Sequence, residues 1–250
     1  MLEVWLEPAI LAWMALGSIT FGVLAFVKAP YGRHTRTGWG PTIPNRMGWI
    51  LMETPSILIM AWLFLLADTR GPCTWIFIGI WQAHYIHRAW VFPFRVQGSP
   101  GRMPLFIAVS GLAFNLVNAF INGAWLFLLG NRTDPSWLTD PRFLLGLLLF
   151  AVGMSVNLIS DTHLLKLRAE NRGYQVPRHR LFRQVSCPNY LGEIMEWAGW
   201  ALATWSLPGL AFAAWTFYNL APRARAHHRW YQEKFSDYPS SRTALIPKVF

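Results

Sequence analysis

The sequence predicts an all-α, polytopic integral membrane protein with seven transmembrane helices. Three observations predict it. Of 250 residues, 54% are hydrophobic and only 14% charged, where a soluble domain carries about 25% charged residues. Mean hydropathy is +0.28. Apolar runs recur at the length, about 20 residues, that crosses a hydrocarbon core. No repeat, low-complexity tract or linker interrupts them, so residues 1–250 read as a single membrane-embedded domain.

The first run, 8–27, follows Glu3 and Glu7 rather than basic residues, and reads as a retained span, not a cleaved signal peptide. The second, 48–67, carries Glu53 five residues into an otherwise apolar stretch, followed by Thr54 and Pro55. A carboxylate at a spanning helix centre costs about 2.5–3.5 kcal/mol, and the proline frees a backbone carbonyl one turn earlier. The third, 73–94, holds HYIHR, with His84, His87 and Arg88 on one helical face and Tyr85 three residues before Arg88. The fourth is 104–129. The fifth, 142–160, ends in NLISD, with Asn157 and Asp161 four apart. The sixth, 189–205, opens with NYLGEIMEW, placing Asn189, Glu193 and Glu196 at helical spacing. The seventh, 207–221, is parted from it only by Ser206-Leu207-Pro208, a tight helical hairpin. Polar groups on four spans are expensive against lipid and are expected to face a shared interior cavity; Glu53 with Arg88 is the simplest buried pair they allow.

Charge sets the orientation. Eighteen of the 22 Lys and Arg fall in the loops 28–47, 95–102 and 161–188 and in the tail from 222, and three, Arg70, Arg132 and Arg142, on the other side. The positive-inside rule then puts the N-terminus outside and the C-terminus in the cytoplasm. The same bias accounts for the net charge of +10 without nucleic acid. Cys73 and Cys187 fall on opposite sides and cannot pair. Asn131-Arg132-Thr133 matches a glycosylation sequon against a span end, where an accidental match is the simpler reading.

Seven histidines without an HxxHH or HExxH motif argue against a metal centre. Neither GxGxxG nor GxxxxGK[ST] occurs. The arginines of the fifth loop and the tail, Arg168, Arg172, Arg178, Arg229 and Arg242, are nonetheless suited to a phosphate-rich ligand.

The stretches LRAENRGYQVPRHRLFRQVSCPNYLGEIMEWAGWALATWSLPGLAF and RARAHHRWYQEKFSDYPSSRTALIPKVF closely resemble the steroid 5α-reductases. LMETPS, HYIHRAWVFPF and VGMSVNLISDTHLLKLR resemble upstream parts of the same family, so the likeness covers about 45–250. It implies NADPH-dependent reduction of the carbon 4–carbon 5 double bond of a 3-oxo steroid, with hydride going to carbon 5. The family's catalytic glutamate and tyrosine match Glu53 and Tyr85. Its cofactor residues match Asn157, Asp161, Arg168, Tyr174, Asn189, Glu193, His227, Tyr231 and Arg242, within a cofactor-binding part of about 157–250. The loop between Arg168 and Tyr174 is one residue short of the family pattern, and Ser110 stands where the family has an arginine. The implied partners are a steroid arriving from the lipid phase and the bilayer, with no obligate protein partner. The implied location is a bacterial inner membrane or the endoplasmic reticulum. Rival readings are a membrane enoyl or sterol reductase acting on another lipid, an S-adenosylmethionine-dependent isoprenylcysteine methyltransferase, and a non-catalytic lipid-binding protein.

Overall fold

The computed structural model describes residues 2–96, 101–129, 134–171 and 174–250. The sequon at 131–133 lies outside the described residues. Helix α1 is Leu2–Phe26; α2, Asn45–Leu65; α3, Pro72–Ile86. A π-helical stretch, His87–Val91, joins α3 without a break to α4, Phe92–Arg95. Helix α5, Leu105–Gly123, runs on through a second π-helical stretch, Ala124–Leu129. Then come α6, Pro141–Asn171; α7, Pro188–Thr204; and α8, Leu207–Lys234. Two short strands, β1 (Thr42–Pro44) and β2 (Arg102–Pro104), pair antiparallel and pin the first loop beside the start of α5. With 76% of residues helical, the all-α expectation stands.

Each of the seven apolar runs becomes a helix, and among the described residues four helices are long and apolar enough to cross a bilayer: Val4–Phe26, Asn45–Leu65, Leu105–Leu129 and Pro141–Glu170. Their outer faces show large apolar side chains such as Trp5, Ile19, Leu58, Trp62, Leu145 and Leu148, the pattern of a lipid-facing band. Helix α7 has 17 residues, roughly 25 Å at 1.5 Å per residue.

Two boundaries correct the sequence reading. Helix α6 continues past 160 to Asn171, and α8 past 221 to Lys234. Stretches taken for a loop and a tail are therefore helical projections beyond the apolar core, built from good helix formers such as Ala, Arg, Gln and Glu. The hairpin also turns one residue earlier than expected. Trp205 adopts a left-handed conformation (φ 44°) that ends α7. Ser206 caps α8 by accepting from Gly209 N at 3.1 Å, and Pro208 occupies its first turn.

Helices α6 and α7 touch backbone to backbone. Gly146 and Gly153 on α6 face Gly199 and Gly192 on α7, where a Cβ would lie 2.4–2.5 Å from backbone nitrogen of the other helix. The core above this seam is aromatic: Phe77, Trp81, Trp197 and Trp200 are essentially inaccessible. Their indoles find acceptors, Trp81 Nε1 donating to Ser56 O (3.1 Å) and Trp200 Nε1 to Asn122 Oδ1 (2.9 Å). At the opposite end from the hairpin, residues 185–187 pair with 243–244, and Arg178 forms an ion pair with Asp237. The basic segment before α7 and the C-terminal segment therefore meet.

Candidate active site

Two cavities adjoin inside the helices. The first, of about 280 Å³, lies between α1, α2, α3, α5, α7 and α8. Its walls are mostly apolar and include Phe114, Phe212 and Trp215; its polar head holds Glu53, His84, Tyr85 and Glu193. The second, of about 170 Å³, is lined by Arg33, Asp161, Arg168, Asn189, His227 and Tyr231, with Tyr174 at its edge. Tyr31, Trp49, Arg88 and Arg223 line both and form the partition.

Glu53 sits on α2 beside Pro55, where the helical hydrogen-bond ladder is interrupted. Asn115 on α5 bridges this point, its Nδ2 donating to Met52 O (2.7 Å) and to Glu53 Oε2 (3.1 Å), while Ser56 Oγ donates to Asn115 Oδ1 (2.8 Å). Glu53 is thus oriented by an amide, and the Glu53–Arg88 pair considered from sequence does not form. The Arg88 guanidinium instead faces Asp161 and Glu193, each at 3.5 Å, and stacks over Trp49 (4.6 Å) and Phe92 (5.1 Å). Tyr85 is buried at the polar head of the first cavity, next to Ser56, Asn118 and the Glu53 carboxyl. His84 turns to Glu196 on α7, Nδ1 to Oε1 2.7 Å. His87 does not share that direction. The helix widens to π geometry there, and His87 is half-buried near Arg95.

Four of the residues matched to cofactor contacts form one network across the α6–α7 seam. Asn157 Nδ2 donates to Asn189 O (2.9 Å) and approaches Glu193 Oε2 (3.4 Å); Asn189 Nδ2 donates to Asp161 Oδ1 (3.0 Å). Asn157 braces this network from behind the cavity walls. Arg168 lies over the Tyr174 ring at 4.9 Å. His227 is stacked on His34 of the first loop, with Nδ1 to Nε2 3.0 Å, and its Nε2 is bonded to the Tyr190 hydroxyl at 3.0 Å. Burial, reinforced by Arg33 and Lys28, pushes the His34 imidazole down to about 4, and burial with Arg33 and Arg223 holds His227 well below the usual range. Cys187 beside them is pushed up to about 12 by burial. Arg242 does not reach either cavity. It is buried under the C-terminal segment over the Tyr238 ring (5.1 Å), with Nε and Nη1 unpartnered among the described residues.

Sequence reasoning missed Arg33, Arg88 as the shared wall, Asn115 and Arg223. Arg33 was counted only as a loop charge. It is enclosed by Tyr174, Trp230 and Tyr231 at 4.7–5.0 Å, and its Nη1 is buried without a partner among the described residues. A signal did exist for Arg223: it stands four residues before His227 and eight before Tyr231, one face of a helix once α8 is continued past 221.

The arrangement offers hydrogen-bond donors and a carboxyl at the head of an apolar cavity, beside a cation-lined second cavity. The profile of the 3-oxo-5-alpha-steroid 4-dehydrogenase family matches residues 101–250. The chain is 41% identical to a steroid 5-alpha-reductase of Arabidopsis thaliana over 248 residues, covering 94% of this chain and 92% of the relative. It is 40% identical to 3-oxo-5-alpha-steroid 4-dehydrogenase 2 of Homo sapiens, covering 93% of each, and 39% identical to 3-oxo-5-alpha-steroid 4-dehydrogenase 1 of Bos taurus, covering 93% and 92%. The matching region contains both helices of the glycine seam and all the residues of the second cavity that come from α6, α7 and α8. The chain therefore belongs to the 3-oxo-5-alpha-steroid 4-dehydrogenase family of oxidoreductases.

Proposed function

We propose that the protein reduces the 4,5 double bond of a 3-oxo-4-ene steroid with NADPH, in a seven-span topology with the N-terminus outside and the C-terminus in the cytoplasm. The observation that carries this reading is the adjacency of the two cavities across Trp49 and Arg88. The apolar cavity, with Glu53 and Tyr85 at its head, suits a flat hydrocarbon bearing one ketone. The second cavity suits a phosphate-rich dinucleotide: the buried Arg33 Nη1 has no acceptor among the described residues, and a guanidinium grips phosphate oxygens two at a time. Asp161, Arg168, Tyr174, Asn189, His227 and Tyr231 would hold NADPH there, with Asn157 and Glu193 bracing them. Arg242 would act from behind Tyr238.

An enone carbon accepts hydride only when its carbonyl is polarised. Tyr85 donates its phenolic hydrogen to the 3-oxo oxygen, and Glu53, aimed by Asn115, supports the same oxygen. NADPH, when bound, supplies the hydride that arrives at carbon 5. Charge then builds on the ketone oxygen, where donors fixed in advance by Asn115, Ser56 and Asn118 stabilise the enolate. The aromatic walls keep water from the reacting face. The steroid enters from the lipid phase, of an inner or endoplasmic reticulum membrane, and the cofactor from the cytoplasmic side where the arginines lie. The test is turnover of a panel of 3-oxo-4-ene steroids by detergent-purified protein with NADPH or NADH. NADPH-dependent formation of 5α-dihydro products is expected. Binding of S-adenosylmethionine in place of NADPH would overturn the assignment.

A further inference from the structure

We propose that His84 is the general acid that delivers the proton to carbon 4, with Glu196 as its positioning partner. The inference rests on the enone-reduction reading. Reduction places hydride on carbon 5 and a proton on carbon 4, so a donor must stand close to the polarised ketone. Carbon 4 is bonded to the carbonyl carbon, and a phenol donating to that carbonyl at about 2.7 Å therefore has its oxygen within roughly 5 Å of carbon 4.

His84 is placed for this. Its ring lies 5.0 Å from the Tyr85 ring, centroid to centroid, and lines the same cavity. Its Nδ1 is engaged by Glu196 at 2.7 Å. Its Nε2 has no hydrogen-bond partner among the described residues, yet is not among the sealed, unpartnered atoms, so that edge is the one open to the cavity. Glu196 is completely buried on α7 and its Oε2 has no partner among the described residues. A buried carboxylate so short of partners needs a counter-ion, and the imidazolium of His84 is the group that meets it.

Most other polar groups in the cavity are otherwise committed. Arg88 does not release a proton. Glu193 faces the Arg88 guanidinium at 3.5 Å and accepts from Asn157. Glu53 accepts from Asn115 beside the ketone site. The hydroxyls of Thr20, Ser110 and Thr216 donate into the backbone carbonyls of Leu16, Phe106 and Phe212. The charged and titratable groups around His84 are thus Glu53 from α2, Tyr85, His87 and Arg88 from its own continuous helix, and Glu193 and Glu196 from α7.

The step balances simply. The Nε2–H bond of the imidazolium breaks as the carbon 4–hydrogen bond forms, the enolate returns to a ketone, and neutral imidazole keeps its Nδ1 proton on Glu196. Solvent water then returns one proton to Nε2 per turnover.

The half-reaction can be read without reduction. The saturated 3-oxo-5α-steroid, held in protein loaded with NADP⁺ in D₂O, exchanges hydrogen at carbon 4 by the same proton transfer in reverse; mass spectrometry reads the deuterium. Wild-type protein should catalyse this exchange. His84→Gln should slow both exchange and kcat about 100-fold, with KM for NADPH unchanged. Glu196→Gln preserves shape but removes the counter-ion, so it should move the pH profile of kcat to lower pH. Unchanged exchange and an unchanged pH profile in His84→Gln would overturn the proposal, leaving solvent as the donor. If His84→Gln does not bind NADPH, Glu196→Gln decides alone, and a wild-type pH profile in it overturns the proposal. Wild-type protein that reduces no enone overturns the reductase reading itself; a working wild type with an indifferent His84 overturns only this inference.

Discussion

Replacing Gly153 by alanine tests whether the α6–α7 seam holds the proposed cofactor side of the site together. A Cβ at 153 would stand 2.4 Å from Glu196 N, 2.6 Å from Gly192 O and 2.8 Å from Glu196 Cα. All three atoms are backbone, so no rotamer change relieves the contact. Carbon atoms meet comfortably at about 3.5 Å, so the helices must part by roughly 1 Å. That movement carries the Asn157–Asn189 and Asn189–Asp161 hydrogen bonds, now 2.9 and 3.0 Å, to about 4 Å, where they no longer count as bonds. Overpacking of this kind costs about 1–3 kcal/mol, and each lost bond about 1 kcal/mol more. A total of about 3–5 kcal/mol lowers the melting temperature by roughly 6–20 °C in a chain of this size. Because α6 and α7 carry Asn157, Asp161 and Asn189, NADPH should bind at least about tenfold more weakly, the equivalent of 1.4 kcal/mol. The assay is thermal unfolding and cofactor titration in detergent, with Gly79→Ala as the control: a Cβ there meets nothing within 4 Å. A Gly153→Ala protein that melts and binds NADPH like wild type would refute both the close seam and its link to the cofactor site.

Three other outcomes are expected. Glu53→Gln should bind NADPH normally yet lose turnover by about 10²–10³, the loss typical of one oxyanion-stabilising group; testosterone reduction at the wild-type rate would make Glu53 a structural residue. Arg168→Ala should weaken NADPH binding roughly 30-fold, the low end for removing one partner of a hydrogen-bonded charge pair, while steroid affinity at saturating cofactor stays put; an unaltered NADPH dissociation constant would make Arg168 a solvated charge on the last turn of α6. His34 is held neutral in the fold with its value near 4, whereas the unfolded imidazole titrates near 6.5; the unfolded chain therefore binds more protons between those values, stability falls as pH drops through that window, and His34→Gln should flatten the melting temperature there.

Hydrophobic run length located every helix, because a spanning segment must satisfy its backbone internally and show apolar side chains to lipid. The spacing of Asn157 to Asp161 and of Asn189 to Glu193 correctly put these groups on facing sides of two helices. The ends of α6 and α8 were not legible by the same rule: beyond 160 and 221 the helices leave the apolar layer, the composition turns basic, and run length no longer reports on helicity. Helical spacing still did, through Arg223, His227 and Tyr231. The HYIHR motif was misread for a different reason. Its face was drawn on a 3.6-residue period, while the chain switches to π geometry at His87, so His84 and His87 part company. The enclosure of Arg33 had no local signal at all, since its three aromatic neighbours lie about 140 to 200 positions away in the chain.

The cost of polar groups in an apolar layer explains why they appear as a set. Glu53 alone would be an expense without return. Here its carboxyl is held by Asn115, Asn115 is held by Ser56, and the Ser56 carbonyl is held by Trp81. Arg88 lies between Asp161 and Glu193, and Glu193 is tied through Asn157 to Asn189. His84 and Glu196 close the third group. Each member makes the next one tolerable, and removal of any single partner leaves a buried charge or dipole uncompensated. Evolutionary drift toward apolar side chains would have to replace several of these residues together. The groups nevertheless keep free edges, Tyr85 and the open side of His84 among them, that face the cavity rather than one another. A purely structural network would spend every donor on the protein; one that leaves donors aimed into an apolar cavity is arranged around something that enters it.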